Sequence, residues 1–152
     1  MSKKMAVAVG VEFFFDTASK NSLGSGATSI GPQVFAVFFK PFGGFVDLFA
    51  PAYQHKFSVD EDPGRGKVHQ GLFDFFFMKS SKDKQSWLLV NPTVVLDYEN
   101  DTQFMLVDLE VGTMLDKYLG TKGHSAYIRP SFTIGSDRTS DGSIEVGYKV
   151  IW

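Results

Sequence analysis

Glu145-Val-Gly-Tyr-Lys-Val-Ile-Trp152, the last eight residues of the chain, alternate strictly between two kinds of side chain. The apolar side chains share one face: Val146, Tyr148, Val150 and Trp152. The charged and small residues share the other: Glu145, Gly147 and Lys149. A period of two predicts a β-strand, because successive side chains of a strand point to opposite sides. The sequence therefore predicts a final strand with one wholly apolar face.

Seven further segments show strand-like patterns. Including the last, strands are predicted over residues 5–16, 29–40, 45–58, 67–78, 86–98, 103–114, 124–135 and 143–152. The stretches between them are rich in Gly, Asn, Asp, Ser and Pro, which favour turns, and no segment has a convincing helical period. Pro51, Pro92 and Pro130 fall inside strands and are interpreted as bulges or strand ends, since a closed barrel has no free edge for proline. The pattern predicts one all-β domain, an up-and-down antiparallel β-barrel of about eight strands.

Composition narrows the function classes. The net charge of -2 offers no basic field for nucleic acid, which is therefore not an expected partner. The absence of cysteine excludes disulfides and thiolate metal sites. No apolar run reaches the roughly 18 residues of a membrane-spanning helix. Met1-Ser-Lys-Lys-Met5 lacks the apolar segment of a secretory signal, so an exported protein would begin here in a mature or engineered form.

The two faces of the strands differ in side-chain size as well as in polarity. Val, Leu, Ile and Phe follow one another on the apolar faces, whereas the polar faces repeatedly carry small residues: Ala6, Ala8, Gly10, Gly112, Ser131 and Gly147. The interior of an eight-stranded barrel is narrow, and small side chains fit it best. The polar face is therefore predicted to point inward and the bulky face outward into lipid, as in a transmembrane barrel.

The inward face is expected to carry a set of charged and polar residues. They are Glu12, Asp16, Asn91, Asp97, Asp108, Glu110, Arg129, Glu145 and Lys149. Carboxylates outnumber cations in this set, so some of them should be protonated or hydrated. Two interpretations remain open: a hydrogen-bonded plug that fixes the register of the barrel, which is favoured, and a narrow polar conduit.

No catalytic residue, metal site or cofactor is predicted. His55, His69 and His124 are interpreted as isolated side chains without a second ligand at metal spacing. Outer-membrane lipid-modifying enzymes are the catalytic alternative, because some are barrels of this length that use a Ser/His pair. Ser125 directly follows His124, and neighbours on a strand point to opposite faces, so these two cannot form that pair.

Two resemblances can be named from these residues. The ending Gly147-Tyr-Lys-Val-Ile-Trp152 resembles the C-terminal signal by which bacterial outer-membrane β-barrels are recognised and inserted, with Gly147, Tyr148, Val150 and Trp152 as the signal residues. Glu12 to Pro32, through Asp16-Thr-Ala-Ser-Lys-Asn-Ser-Leu-Gly-Ser-Gly26, and Asn91-Pro-Thr-Val-Val-Leu-Asp-Tyr-Glu-Asn100 resemble the outer-membrane family associated with the meta-pathway of phenol degradation. That similarity covers residues 12–152. Members of the family are proposed transporters of small organic compounds.

The family resemblance implies further strands ahead of the matched region, because the family's members are longer than this chain. The chain would then be a reduced relative or a truncated part of a larger barrel, with a correspondingly narrower lumen. The expected location is the bacterial outer membrane, with outer-membrane lipid and the barrel-assembly machinery as partners. The expected function is passage or binding of small, apolar organic molecules. A soluble lipocalin-like barrel with an apolar ligand inside, and a purely structural membrane barrel, are the alternatives.

Overall fold

Eight strands account for most of the protein. The structure, a computed structural model, describes residues 4–15, 26–61, 66–120, 122–137 and 141–150. The strands are β1 (Met5–Phe14), β2 (Ala27–Phe39), β3 (Leu48–Glu61), β4 (His69–Ser80), β5 (Ser86–Asp97), β6 (Thr102–Met114), β7 (His124–Ile134) and β8 (Gly142–Val150). Each predicted segment overlaps one of these strands. Two short helices that the sequence did not predict lie in the connections, a 3-10 turn at Phe42–Gly44 and α1 at Asp116–Leu119.

The strands form a single antiparallel sheet in the order of the chain. Each strand pairs with the one before it and the one after it, from β1 through to β8. Strands β1 and β8 are the two edges of this sheet. The prediction of an all-β, up-and-down antiparallel arrangement of eight strands is confirmed at this level.

The two faces of the sheet differ in character. Among the described residues, the buried hydrophobic side chains are mostly small: Ala27, Val46, Ala50 and Val95. The buried polar residues are Ser29, Gln54, Asn91, Thr93, Glu110 and Ser125. We call the face that carries Gln54, Asn91 and Glu110 the inner face, and the opposite one the outer face. Many of the polar and small side chains thus lie on the inner face, and large apolar side chains are exposed on the outer face of every strand.

The accessible surface reflects the same difference. It amounts to 10325 Å², whereas a compact soluble protein of this mass exposes about 7,700 Å². The outer face contributes to this large surface, because it exposes large hydrophobic side chains on every strand. Examples are Val9 on β1, which is 79% exposed, and Val146 on β8, which is 77% exposed. An exposed apolar surface of this extent is typical of a face that contacts a partner protein, a membrane or a ligand.

The prolines within strands are neither bulges nor strand ends, so that interpretation is wrong. Pro92 pairs in register with Val107 of β6, while the pairing of β5 with β4 is interrupted between Asp74↔Thr93 and Phe77↔Val90. Proline has no backbone N–H to donate to a carbonyl of one neighbouring strand. The pairing with that strand is therefore interrupted locally, while the pairing with the other neighbour continues. Pro51 interrupts the β2–β3 ladder and Pro130 the β6–β7 ladder in the same way.

Asp47 ties two turns together at the end of the sheet where β2 joins β3. Its Oδ2 accepts a hydrogen bond of 2.8 Å from the backbone N–H of Ser80, and its Oδ1 lies 3.4 Å from Lys79 Nζ. The Ser80 hydrogen bond holds the pKa of the Asp47 carboxyl below its usual value, and the attraction of Lys79 adds to this. The β2–β3 and β4–β5 turns are thereby linked through one carboxylate.

Candidate functional site

The charged residues predicted for the interior occupy one face of the sheet. Eight of them are described and lie on the inner face: Glu12, Asn91, Asp97, Asp108, Glu110, Arg129, Glu145 and Lys149. Asp16 lies outside the described residues. The structure does not bring them into one site. Glu12 belongs to a group on β1 to β3, Asn91 to a group on β4 and β5, and Glu110, Arg129, Glu145 and Lys149 to a cluster on β6 to β8.

Glu110 is the centre of the last of these groups, which we call the Glu110 cluster: Trp87, Glu110, Tyr127, Arg129, Glu145 and Lys149. The Glu110 carboxylate accepts hydrogen bonds from Trp87 Nε1 at 2.8 Å and from Arg129 Nε at 3.0 Å. Its side chain is only 5% exposed. Arg129 also pairs with Glu145 through an Nη1–Oε2 distance of 3.2 Å. A charge-assisted network of this kind is strong when its members are buried.

Two glycines make the space that the rings of this cluster occupy. A Cβ atom on Gly112 would lie 2.0 Å from the ring of Trp87, and one on Gly147 would lie 2.1 Å from the ring of Tyr127. Both glycines are on the neighbouring strand directly opposite the aromatic residue that covers them. The rings of Trp87 and Tyr127 therefore pack over these two glycines, which places both aromatic side chains beside the charged groups.

Charges balance within the Glu110 cluster. Its two carboxylates, Glu110 and Glu145, face two cations, because Lys149 Nζ lies 4.0 Å from Glu110 Oε2 in addition to the Arg129 contacts. The expected excess of unpaired carboxylates is thus not found in this part of the inner face. The cluster closes space between β5 and β8 with paired charges, as a plug does.

A second polar group lies on β4 and β5. Thr93 Oγ1 donates to Asp74 Oδ1 at 2.6 Å, and Asn91 Nδ2 lies 3.3 Å from the same oxygen. The carbonyl oxygen of Asn91 is buried without a hydrogen-bond partner among the described residues. A buried acceptor left unpaired is costly.

A cavity of about 650 Å³ opens on the inner face between β1 and β5. Its polar end lies toward the β1–β2 and β3–β4 hairpins and is formed by Glu12, Gln33, Gln54, Lys56, Gln70 and Asp74. Its apolar end lies toward the opposite hairpins and is lined by Phe35, Val37, Leu48, Phe76, Met78 and Leu89, with Ala50, Ala52 and Leu72 between the ends. The cavity therefore has the size and the graded polarity of a small-molecule site.

The polar end of the cavity is organised by hydrogen bonds across three strands. Gln54 Nε2 donates to Glu12 Oε2 at 2.9 Å, and Gln33 Nε2 donates to Glu12 Oε1 at 3.3 Å. The Lys56 ammonium sits 3.9 Å from the centre of the Phe14 ring, which is cation–π distance. These contacts hold Glu12 and Lys56 at the cavity wall.

Several residues of the inner face were not predicted from the sequence. They are Gln33, Gln54, Lys56, Gln70, Asp74, Trp87 and Tyr127. Each occupies an inward position on its strand. They could have been identified by assigning correctly which alternate positions of each strand face inward. On β3 and β4 that alternation is hidden, because the apolar end of the cavity places Leu48, Phe76 and Met78 on the inner face as well.

Asp97 and Asp108 differ from the other predicted residues. Asp97 Oδ1 accepts from the backbone N–H groups of Glu99 and Asn100, which fixes the β5–β6 turn at the rim of the sheet. Asp108 lies opposite Asn91 and Ser131 on the inner face. Asp97 therefore has a role in the turn that the sequence pattern did not indicate.

The interpretation of His55 and His69 as isolated side chains is wrong. His55 and His69 lie side by side on the outer face, with their Nε2 atoms 3.2 Å apart. His124 contacts the hydroxyl of Tyr148 on β8, whereas Ser125 is buried on the inner face. His124 and Ser125 thus point to opposite sides, as predicted.

Comparison of the chain with protein-family models, with curated proteins and with solved structures finds no match. The resemblance to the phenol-degradation family stays a prediction from the sequence. Within the described residues, none of the helices is long and apolar enough to span a membrane.

Proposed function

We propose that this chain forms the wall of a bacterial outer-membrane β-barrel whose inner cavity binds small amphipathic organic molecules and serves their passage. The observation that supports the proposal best is the orientation of the two faces. Bulky apolar side chains point outward on every strand while Glu110, Gln54 and Asn91 are buried inside. Lipid is the solvent in which that arrangement is stable.

Strand length agrees with a membrane crossing. The strands run from 9 residues in β8 to 14 residues in β3, and a tilted strand needs about 9 to 11 residues to cross the hydrocarbon layer. Unpaired backbone groups are not tolerated in lipid. The proposal therefore requires the edges β1 and β8 to be paired in the membrane.

A soluble lipocalin-like barrel is the weaker alternative. Such a barrel needs its apolar side chains inside, around the ligand, and its charged side chains in water. Here Val9 and Val146 are exposed at 79% and 77%, whereas Glu110 is exposed at 4%. A water-soluble protein with these faces would expose its apolar surface and bury its charges.

The cavity favours a ligand with a hydrogen-bond-donating head and an apolar body. Among its described lining residues, the polar end carries two carboxylates, Glu12 and Asp74, and one cation, Lys56. A cationic or hydroxyl head can donate to these carboxylates. An aromatic or aliphatic body would then contact Phe35 and Phe76.

The ligand proposal is tested with two probes of similar size and opposite charge, 2-phenylethylammonium and 3-phenylpropionate. Protein in lipid nanodiscs is titrated with each probe, and chemical-shift changes of the methionine methyl groups are recorded. We expect the cation to bind more tightly and to shift Met78 at the cavity wall. Ala52→Trp fills the middle of the cavity and should abolish binding.

The matched control is Ala36→Trp, which adds the same ring on the outer face of the neighbouring strand. This variant should bind the cation as the wild type does. Unchanged binding by Ala52→Trp, or equal loss in both variants, contradicts the cavity as the binding site.

A purely structural membrane barrel is the second candidate, and the Glu110 cluster favours it. That cluster fills the inner face between β5 and β8 with paired groups and leaves the cavity confined to β1 to β5. If neither probe binds while the protein inserts into lipid, the structural role is the better description.

A further inference from the structure

Two histidines meet on the outer face at the end of the β3–β4 hairpin. His55 lies opposite Gly71, and His69 lies opposite Phe57, so the two imidazoles are diagonal neighbours across the strand pair. Their Nε2 atoms are 3.2 Å apart and their rings meet edge to face at 82°. Two neutral imidazoles at this distance form one hydrogen bond, or they share a cation.

The separation of the two nitrogens suits a shared metal ion. Imidazole nitrogens bind divalent zinc at about 2.0 to 2.1 Å, and a tetrahedral angle then places two such nitrogens about 3.3 Å apart. We propose that His55 and His69 form a two-histidine binding site for a first-row divalent transition-metal ion. The site is separate from the inner face and does not rest on what the cavity binds.

A neighbouring hydroxyl already orients one of the ligands. Tyr53 Oη lies 3.1 Å from His55 Nδ1, the ring nitrogen that faces away from His69. A metal-binding imidazole commonly donates its other N–H to an oxygen, which fixes the tautomer and the ring orientation. Tyr53 therefore acts as a positioning residue that leaves His55 Nε2 with a free lone pair for the metal.

The histidine pair is exposed and lies beside the end of β5. His69 is the first residue of β4, and Tyr98, whose ring centre is 5.1 Å from that of His69, directly follows β5. A Cβ on Gly71 would lie 2.5 Å from Tyr98 Oη, so the absence of a side chain lets Tyr98 pack beside the pair. Both histidines thus lie near the rim of the sheet.

The coordination sphere determines which ion is preferred. Within the described part of the chain, no group of three or more histidine, cysteine, aspartate or glutamate side chains is placed to hold a metal. The protein therefore supplies two nitrogens and water completes the sphere. Imidazole suits zinc, nickel and copper, and Cu²⁺ should bind most tightly by the general order of divalent affinities.

Cu²⁺ alone is the probe. The full chain in lipid nanodiscs is titrated with Cu²⁺ at neutral pH and followed by electron paramagnetic resonance, which resolves coupling to coordinating nitrogens. We expect one ion per chain with two imidazole nitrogens. His55→Ala and His69→Gln should each weaken binding by more than tenfold and leave a one-nitrogen signal at most.

His124→Ala is the matched control, because it removes the remaining histidine and should leave the two-nitrogen signal unchanged. Tyr53→Phe keeps both ligands but removes the oxygen at His55 Nδ1, and should weaken binding by about tenfold with the two-nitrogen signal retained. Circular dichroism verifies that each variant is folded. A wild type without the two-nitrogen signal, or a signal that persists in His55→Ala, overturns the proposal.

Discussion

Removing the Glu110 carboxylate should destabilise the protein far more than removing its neighbour Glu145. The Glu110 side chain is 5% exposed and accepts hydrogen bonds from Trp87 and from two nitrogens of Arg129. Breaking a buried ion pair by removing one partner costs about 3 to 5 kcal/mol. Because the Arg129 side chain is 29% exposed, we expect the lower end for Glu110→Ala, about 3 kcal/mol.

Glu145→Ala is the matched control for the burial argument. Glu145 pairs with the same guanidinium at 3.2 Å, but its side chain is 50% exposed. Solvent screens such a pair, and its removal should cost about 0 to 1 kcal/mol. The two substitutions delete the same number of atoms from the same cluster, so their difference isolates the environment of the carboxylate.

The free energy of unfolding is measured by urea titration of protein refolded in detergent micelles. Circular dichroism is the preferred signal, because Trp87 contacts Glu110 directly and its fluorescence would change for local reasons. Equal destabilisation by Glu110→Ala and Glu145→Ala would contradict this expectation. It would mean that water reaches Glu110 freely and that the inner face between β5 and β8 is not closed.

Three further substitutions test other parts of the structure. Val107→Arg on the outer face should lower the free energy of unfolding in lipid by about 2 to 4 kcal/mol, whereas Asp108→Asn should change it less. The reverse order would mean that the face with Asp108, and not the face with Val107, contacts lipid. Gly112→Ala would place its methyl group 2.0 Å from the ring of Trp87 and should lower the free energy of unfolding, measured by urea titration, by about 1 to 3 kcal/mol. Gly66→Ala, with open space around it, should leave that free energy nearly unchanged. The folded-state pKa of Asp47 is depressed, so its carboxylate stabilises the fold above its unfolded pKa of about 4, and this stability is lost as pH falls through the folded pKa. The urea midpoint of Asp47→Asn should therefore fall less than that of the wild type between about pH 5 and pH 2. Parallel dependence of the two midpoints on pH would contradict this.

Strand positions, and which side chains share a face of each strand, could be predicted from the sequence because both depend on local pattern. Alternation places β6 and β8, and the contrast between Gly112 or Gly147 and the bulky opposite face indicates which side is enclosed. The pattern fails on β3 and β4, where the apolar end of the cavity puts Phe76 and Met78 inside and removes the alternation. There, apolar side chains are needed on both faces for different reasons.

Pairing register is the information that the sequence does not carry. His55 and His69 are 14 residues apart in the chain, and only the register of the β3–β4 hairpin brings their Nε2 atoms to 3.2 Å. The effect of proline has the same origin. Whether Pro92 breaks the sheet depends on which neighbour its missing N–H would face, and one open ladder beside one continuous ladder preserves the strand.

A nitroxide scan along β6 tests whether lipid covers the outer face and not the inner one. The chain contains no cysteine, so single cysteines at residues 105 to 111 can be labelled one at a time in protein reconstituted into bilayers. Collision rates with oxygen, which concentrates in lipid, and with a water-soluble nickel chelate are measured at each position. We expect oxygen maxima at 105, 107, 109 and 111 and minima at 106, 108 and 110. Oxygen maxima at the even positions, or no alternation at all, would contradict this expectation.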